Sequence, residues 1–180
     1  MEGSFGLDGG SMFGIVPRSL WSRSHPPDEY NRITMALRCL LLSDGRRHIL
    51  VDAGIGPRFD AKQQGIYRYQ RAEGGGLEGA LQRQAGLCPA DITDVVATHL
   101  HFDHVGGLLA RQEEAWLPRF PKATVHLQQD AWDWAANPPV WDRASFFSQD
   151  FPIWEEQMRL HMLQGDTEIA PGVRLQVTEG

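Results

Sequence analysis

The sequence predicts a layered α/β domain over residues 1–180, and two observations support this. Strand patterns and helix patterns are mixed along the whole length of the chain, which is typical of packed layers of both elements. Hydrophobic residues make up 42% of the 180 residues, which is enough apolar material to bury a core. The elements do not follow a regular strand–helix–strand repeat, so a simple doubly wound sheet is the less favoured architecture.

The clearest element is a pair of strands between residues 33 and 52. Apolar residues recur at every second position from Ile33 to Leu41, which is the period of a strand. Residues 40–42 are all leucine, as expected where a strand is covered on both faces. Asp44-Gly45 predicts a tight hairpin turn, and residues 48–51 supply the return strand. We therefore expect a buried antiparallel pair.

The other elements follow from periodicity and from residues that break it. Residues 54–76 carry six glycines and a proline, and they predict a long loop. A helix is predicted over residues 77–85, ended by Gly86, and a second over residues 128–136, stopped before Pro138. Further strands are predicted over residues 94–98, 124–127 and 174–178.

Charge and composition exclude several classes of partner. The chain has 17 Lys and Arg against 23 Asp and Glu, a formal net charge of -6, and an acidic domain without a basic cluster is poorly suited to nucleic-acid backbones. No run approaches ~18 apolar residues, so no membrane span is expected. Residues 1–4 do not begin a signal-peptide pattern. Cys39 and Cys88 form neither a disulfide framework nor a CxxC pair. We expect a cytoplasmic protein with two ordinary thiols.

The residues that carry chemistry lie between positions 98 and 107. Three of the seven histidines and one aspartate fall within six residues: His99, His101, Asp103 and His104. At the end of an extended strand, His99 and His101 would point to the same side. A turn at Phe102 would then bring Asp103 and His104 to the same space from the other flank. Imidazole and carboxylate together suit Zn²⁺, and also iron or manganese.

Two simpler interpretations compete with a catalytic metal site. An exposed histidine-rich turn would have no function, but its flanks are expected to be buried on one side and tightly turned on the other. A structural zinc site is usually closed and rich in cysteine, whereas this cluster has none. Four ligands in six residues more readily supply half the ligands of two ions than all those of one. Gly106-Gly107 would let the backbone pass close by before a helix that begins near Leu108, whose N-terminal amides could assist an anionic intermediate.

The run His99-x-His101-x-Asp103-His104 resembles the signature of the metallo-β-lactamase superfamily, hydrolases built as an αβ/βα sandwich with a metal site between two halves. The chain is also similar to the family at residues 49–54, 89–98 and 165–173, and residues 8–17 and 26–32 resemble its quorum-quenching lactonase-like branch. The resemblance implies one metallo-β-lactamase-like domain, of which this chain supplies the first half to two-thirds. The family's third metal-binding histidine, bridging aspartate and last histidine would follow beyond residue 180.

The resemblance also implies a role for each residue of the run. His99 and His101 would bind a first metal ion, and Asp103 and His104 a second, with two Zn²⁺ per complete site and iron or manganese as alternatives. A metal-bound hydroxide would open an ester or lactone of the N-acyl homoserine lactone type. Asp103 would orient that hydroxide and accept its proton. The enzyme implied is a zinc-dependent metallohydrolase acting on a small molecule.

Residues outside the run are assigned more loosely. Asp52 and Thr98 are candidates for hydrogen bonds that support the ligands, although Asp52 could equally be a strand cap. His126 and His161 are more readily interpreted as packed or surface histidines than as ligands. A group of aromatic residues could wall an apolar substrate pocket, but a role in the core or in an interface, such as a homodimer contact, is favoured. These are Trp132, Trp134, Trp141, Phe146, Phe147, Phe151 and Trp154.

Other interpretations are compatible with the same run of residues. A phosphodiesterase would use the same motif, although the charge of -6 disfavours a nucleic-acid substrate. A mononuclear iron sulfur dioxygenase or a thioester hydrolase would be separated by its metal content. A non-enzyme alternative is a catalytically incompetent portion of a domain that holds a partial metal site.

Overall fold

The computed structural model describes residues 1–178 and confirms a mixed α/β architecture. The strands are β1 (Gly3–Asp8), β2 (Arg32–Leu37), β3 (Leu40–Ser43), β4 (His48–Val51), β5 (Gln70–Arg71), β6 (Asp94–Val96), β7 (Leu109–Gln112), β8 (Ala115–Pro118), β9 (Thr124–Gln128), β10 (Arg159–Leu163), β11 (Thr167–Ala170) and β12 (Val173–Leu175). The α-helices are α1 (Gly9–Phe13), α2 (Arg18–Trp21), α3 (Ala61–Tyr67), α4 (Gly76–Ala85), α5 (Phe102–Val105), α6 (Gln129–Ala136) and α7 (Phe151–Gln157).

The strands form two main sheets. The larger has the order β10-β9-β6-β4-β3, in which β4, β6, β9 and β10 are parallel and β3 is an antiparallel edge strand. The smaller is antiparallel with the order β2-β1-β5. The strands β7 and β8, and likewise β11 and β12, pair as separate hairpins. The parallel strands matter most here, because their carboxyl ends meet at one edge of the sheet.

The predicted strand pair between residues 33 and 52 is correct at the hairpin and wrong before it. The chain leaves one sheet after Leu37 and enters the other at Leu40, so the alternating run is two strands in different sheets. The leucine run was expected to be covered on both faces, but β3 is an edge strand, and the side chains of Leu40 and Leu42 are exposed. The return strand β4 over residues 48–51 is confirmed.

The predicted loop over residues 54–76 contains a helix and a short strand. Helix α3 begins after Asp60, whose side chain accepts a hydrogen bond from the backbone N–H of Gln63, while the Gln63 side chain accepts one from the backbone N–H of Asp60. This capping box satisfies two donors that a helix start otherwise leaves free. The glycine-rich composition conceals the D-x-x-Q signal, which explains the error.

Other predicted elements are confirmed with small shifts of boundary. Helix α4 ends at Gly86, which adopts φ +69°, a conformation that favours glycine at a helix end. Helix α6 and strand β9 lie where they were predicted. The predicted strand over residues 94–98 ends at Val96, and the last strand covers Val173–Leu175 rather than residues 174–178.

The main core lies between one face of the large sheet and helices α4, α6 and α7, with Leu50, Val95 and Val125 among its fully buried side chains. A second, largely aromatic cluster surrounds Phe59 and Phe102 and joins the small sheet to α3 and α5. Among residues 1–178, no helix has both the length and the apolar character needed to cross a membrane.

The two thiols are expected to differ sharply in reactivity. Cys39 and Cys88 are both free, and Cys88 is exposed. Burial raises the pKa of the Cys39 thiol to about 12, with a contribution from the negative charge of Glu2. Because the thiolate is the reactive form, we expect iodoacetamide at pH 8 to alkylate Cys88 in the folded protein and to leave Cys39 unmodified, as read by peptide mass spectrometry. Equal labelling of both would contradict this, and labelling in urea provides the control.

Candidate metal centre

The candidate site lies at the carboxyl ends of β4 and β6, which are neighbours in the large sheet. Asp52 follows β4 directly, and its backbone N–H donates to the carbonyl of Val96 at the end of β6 (2.9 Å). Two residues further on, Thr98 opens the histidine-rich run. Parallel pairing of the two strands therefore delivers Asp52 and Thr98 to the same place, although they are far apart in sequence.

The histidine-rich run does not lie on a strand end as predicted. Strand β6 stops at Val96, and His99 and His101 lie in bends that follow it. Leu100 is buried between them and Phe102 directly after them, which leaves both imidazoles on the partly exposed side. The two histidines therefore share a side as expected, but they do so from bends and not from an extended strand.

The predicted turn at Phe102 is confirmed, because α5 begins at that residue and carries Asp103 and His104. The helix predicted to begin near Leu108 is wrong. A short 3-10 turn covers Gly106–Leu108, and the chain then enters strand β7. The one-turn helix thus comes before the glycine pair, not after it. Phe102 and Val105 bury their side chains from this helix. The glycines that follow are needed where their backbone passes close to that of residues 53–55.

The four predicted ligands form one cluster of side chains. The ring centroids of His99 and His101 are 4.6 Å apart, and those of His99 and His104 are 3.9 Å apart. His104 Nε2 lies 3.3 Å from Asp103 Oδ2. Three imidazoles and one carboxylate are thus brought together at the edge of the sheet, as the sequence predicted.

Asp52 and Thr98 support this cluster through hydrogen bonds. Asp52 Oδ1 accepts the backbone N–H of Thr98 at 2.9 Å, and the Thr98 hydroxyl donates to the same carboxylate at 3.0 Å. Asp52 Oδ2 lies 2.7 Å from His104 Nδ1. The structure thus places Asp52 in contact with a predicted ligand, and a strand cap alone would not require that contact. A carboxylate in this position fixes the orientation of a ligating imidazole.

The protonation of the cluster follows from these contacts. Burial opposes the charged form of His104, but the carboxylates of Asp103 and Asp52 outweigh it and raise the pKa of His104 to about 9. Burial and the neighbouring His104 and His101 lower the pKa of His99 to about 4. Although burial favours the neutral acid, the hydrogen bond from His104 holds the pKa of Asp103 below its usual range. At neutral pH the cluster therefore holds a neutral His99, a charged His104 and an ionised Asp103.

A close crossing of two backbone segments holds the cluster in place. The N–H of Ala53 donates to the carbonyl of His104 at 2.7 Å, and the N–H of Gly107 donates to the carbonyl of Gly54 at 2.8 Å. A methyl group at Gly107 would lie 2.1 Å from the carbonyl oxygen of Ala53. The buried Arg119 directs Nη1 at the carbonyl oxygens of both Gly107 and Ala53. The prediction that the glycine pair permits close passage is confirmed.

Sequence reasoning missed two residues at this site. Arg119 had no signal, because a lone arginine after a strand is ordinarily a surface residue. Asp142 lies in the loop between α6 and α7, and its Oδ1 is 3.3 Å from His101 Nε2. Phe146, from the same loop region, packs the edge of its ring against His101 at 5.0 Å between centroids. Only the tertiary structure brings this loop to the run.

The donor types fit metal ions in their chemistry, because imidazole and carboxylate are ligands that Zn²⁺ takes, and His104 would release its extra proton on binding. Within the described residues 1–178, however, no group of three or more such side chains converges on a single ion position. His104 faces Asp52 with one ring nitrogen and Asp103 with the other. The division of the run between two ions stays a prediction. Further donors would have to complete the ligand set of each metal ion.

The remaining predicted residues lie elsewhere. His126 is buried in β9, bonded to Asp94 at 2.8 Å and to His161 at 3.0 Å, so the interpretation as a packed histidine holds. Trp154 and the phenylalanines of the aromatic group are buried, as the favoured core role requires. Trp134 and Trp141 are 49% and 72% exposed, so these two lie outside the core. A pocket or a dimer contact at those residues stays a prediction.

The sequence as a whole identifies the class of protein. The family model described as "metallo-beta-lactamase superfamily" matches residues 38–176. This range includes all five strands of the large sheet and the histidine-rich run. The chain belongs to the metallo-β-lactamase superfamily, and its α/β fold is the fold of that family.

The chain is also similar to particular members and solved structures. An N-acyl homoserine lactonase of Bacillus thuringiensis is 24% identical over 156 residues, covering 82% of this chain and 55% of the relative. A probable metal-dependent hydrolase from Staphylococcus aureus is 28% identical with a TM-score of 0.77, covering 97% of this chain and 61% of that one. An N-acyl homoserine lactone hydrolase, solved with N-hexanoyl-L-homoserine at its catalytic metal centre, is 21% identical with a TM-score of 0.64, covering 97% and 62%. The chain thus spans about 55% of the length of this curated relative.

Proposed function

We propose that the protein is a zinc-dependent hydrolase that opens an ester or lactone bond, with an N-acyl homoserine lactone as the substrate class. The observation that carries the proposal is the cluster of His99, His101, Asp103 and His104 at the carboxyl edge of the large sheet, with ring centroids 3.9 Å and 4.6 Å apart. Membership of a hydrolase superfamily supports it, as does the similarity to named lactonases at 24% identity.

The proposed roles divide the run between two ions. His99 and His101 would hold one ion, and Asp103 and His104 the other. Bound zinc would supply a lowered pKa for water and polarisation of the carbonyl under attack. Asp103 would orient the attacking water and accept its proton. Asp52 and Thr98 would hold His104 in position through the bonds described above.

The apolar surroundings suit a substrate with a hydrocarbon portion. Phe146 lies against His101, with ring centroids 5.0 Å apart. Behind the run, the buried Phe102 belongs to the aromatic core cluster around Phe59. A neutral ester or lactone would bring no charge to be desolvated beside Phe146, whereas a phosphodiester would bring an anion.

The test measures metal content and turnover on the same preparations. We would determine zinc, iron and manganese per chain by plasma emission spectrometry, and assay N-hexanoyl homoserine lactone, an aryl ester and an aryl phosphodiester. We expect close to two zinc ions per chain and lactone turnover. In His101→Ala we expect loss of zinc and a fall in kcat/KM of at least ~100-fold, because even partners of metal ligands cost ~10–100-fold when removed.

The matched control is His25→Ala, which removes an exposed histidine whose ring lies 5.2 Å from that of Phe13, tilted by 56°. It should keep both zinc and turnover. Zinc well below one ion per chain, without turnover, would contradict the proposal for this chain and favour an incompetent partial site. Turnover of the phosphodiester alone would favour a phosphodiesterase. Iron with oxygen consumption would favour a sulfur dioxygenase.

A further inference from the structure

Asp142 reaches His101 from a separate part of the chain. Its Oδ1 lies 3.3 Å from His101 Nε2, and the side chain of Asp142 is only 18% exposed. Within residues 1–178, no other side chain forms a hydrogen bond or ion pair with the ring of His101. Asp142 is therefore the charged side chain that faces Nε2 of His101.

The loop holds Asp142 in this position by bonds of its own. Asp142 Oδ2 accepts the indole N–H of Trp134 at 2.9 Å. The backbone carbonyl of Asp142 accepts the N–H of Ser145 at 2.9 Å, and its N–H donates to the carbonyl of Pro139 at 3.0 Å. Without counting His101, the bond to Oδ2 and the two backbone bonds thus orient the side chain and leave Oδ1 facing His101. This also gives a reason for the half-exposed Trp134, which serves as a donor rather than as part of the core.

The arrangement repeats the one already found at His104. There, Asp52 accepts from the Thr98 backbone and hydroxyl and faces His104 Nδ1. Here, Asp142 accepts from Trp134 and faces His101 Nε2. One carboxylate therefore stands behind an imidazole from each of the two predicted ligand pairs. Such carboxylate–histidine pairs fix the tautomer and the ring orientation of ligating histidines.

We propose that Asp142 is a positioning residue for His101, which accepts the Nε2 proton of the neutral imidazole and leaves the Nδ1 lone pair for a metal ion. A neutral imidazole carries one ring proton, so holding it on Nε2 makes Nδ1 the acceptor. The expected effect on metal binding rests on the proposed function, but the predicted tautomer of His101 is a property of the metal-free chain.

The test reads that tautomer directly. In ¹⁵N-labelled metal-free protein, the ring nitrogen shifts of His101 should report a proton on Nε2 in the wild type. In Asp142→Ala we expect a mixture of tautomers and a fall in zinc affinity of ~10–100-fold, measured by chelator competition. Trp134→Phe keeps the carboxylate but removes the donor that orients it, so a smaller change in both readouts is expected. Asp133→Ala, an exposed aspartate on α6, is the matched control and should change neither.

The outcomes separate this proposal from the proposed function. Zinc binding by the wild type, with tautomer and affinity unchanged in Asp142→Ala, would overturn the role of Asp142 and leave the metal site standing. A proton on Nδ1 in the wild type would also overturn it. A wild type that binds no zinc would contradict the proposed function, while the tautomer comparison would still decide whether Asp142 positions His101.

Discussion

Asp52→Ala is expected to lower zinc affinity by ~10–100-fold, as removal of an outer partner of a ligating histidine does. The reason is the contact of 2.7 Å between Asp52 Oδ2 and His104 Nδ1, which holds the ring of a predicted ligand. Stability should fall as well, by ~1–3 kcal/mol for the backbone N–H of Thr98 left without its acceptor. Alanine would also have to adopt the φ of +59° found at Asp52, a conformation that costs ordinary residues roughly 1–2 kcal/mol.

Asp52→Asn is the matched variant that separates the two effects. Asparagine tolerates positive φ, and its amide oxygen can still accept from the backbone of Thr98, so stability should stay close to that of the wild type. Its single acceptor oxygen cannot serve both Thr98 and His104, so zinc affinity should still fall. Affinity would be measured by chelator competition and stability by urea unfolding. Unchanged zinc affinity in both variants would show that Asp52 is only a strand cap.

Gly107→Ala is expected to destabilise the fold by ~1–3 kcal/mol or more, the range found when atoms are forced into a packed region. The added methyl would lie 2.1 Å from the carbonyl oxygen of Ala53 and 2.8 Å from Arg119 Nη1. Neither neighbour can move easily. Ala53 is bonded to His104 at 2.7 Å, and Arg119 is buried and paired with Glu78 at 2.7 Å. A shift of Ala53 would displace His104, so zinc affinity should fall together with stability.

The control for Gly107→Ala is Gly65→Ala in helix α3. Nothing lies within 4 Å of a methyl group added there, and alanine is favoured over glycine inside a helix by roughly 0.5–1 kcal/mol. We therefore expect the two substitutions to change the urea midpoint in opposite directions. If Gly107→Ala melted like the wild type and retained zinc, the close crossing of backbones would not be required at the site.

The errors of the sequence analysis have a common physical origin. The alternating run after Ile33 is typical of a strand, but periodicity carries no mark where the chain passes from one sheet to the other at Arg38. The exposure of Leu40 and Leu42 depends on β3 being an edge strand, which is a property of the sheet. Helix α3 was missed because its capping box lies within a segment whose glycines indicate a loop.

At the candidate site, too, features set by adjacent residues could be predicted and features set by distant packing could not. The ligand types, their spacing and the turn at Phe102 could all be predicted, because they depend on residues that are adjacent in the chain. The family resemblance covered the same local segments and was confirmed by the match over residues 38–176. Asp142 and Arg119 could not be predicted. Each meets the run only through the packing of distant elements, and neither stands in a sequence pattern that signals such a contact.

The sequence by itself therefore determined the class of fold, and it predicted the four candidate donors of the run with their proposed supports, Asp52 and Thr98. These follow from local patterns, since side chains a few residues apart have few ways to be arranged. The tertiary structure decided which partners from distant segments face the ring nitrogens of those residues. It placed a carboxylate on Nδ1 of His104 and another on Nε2 of His101, because hydrogen bonds between distant segments depend on how the sheets and loops pack against each other.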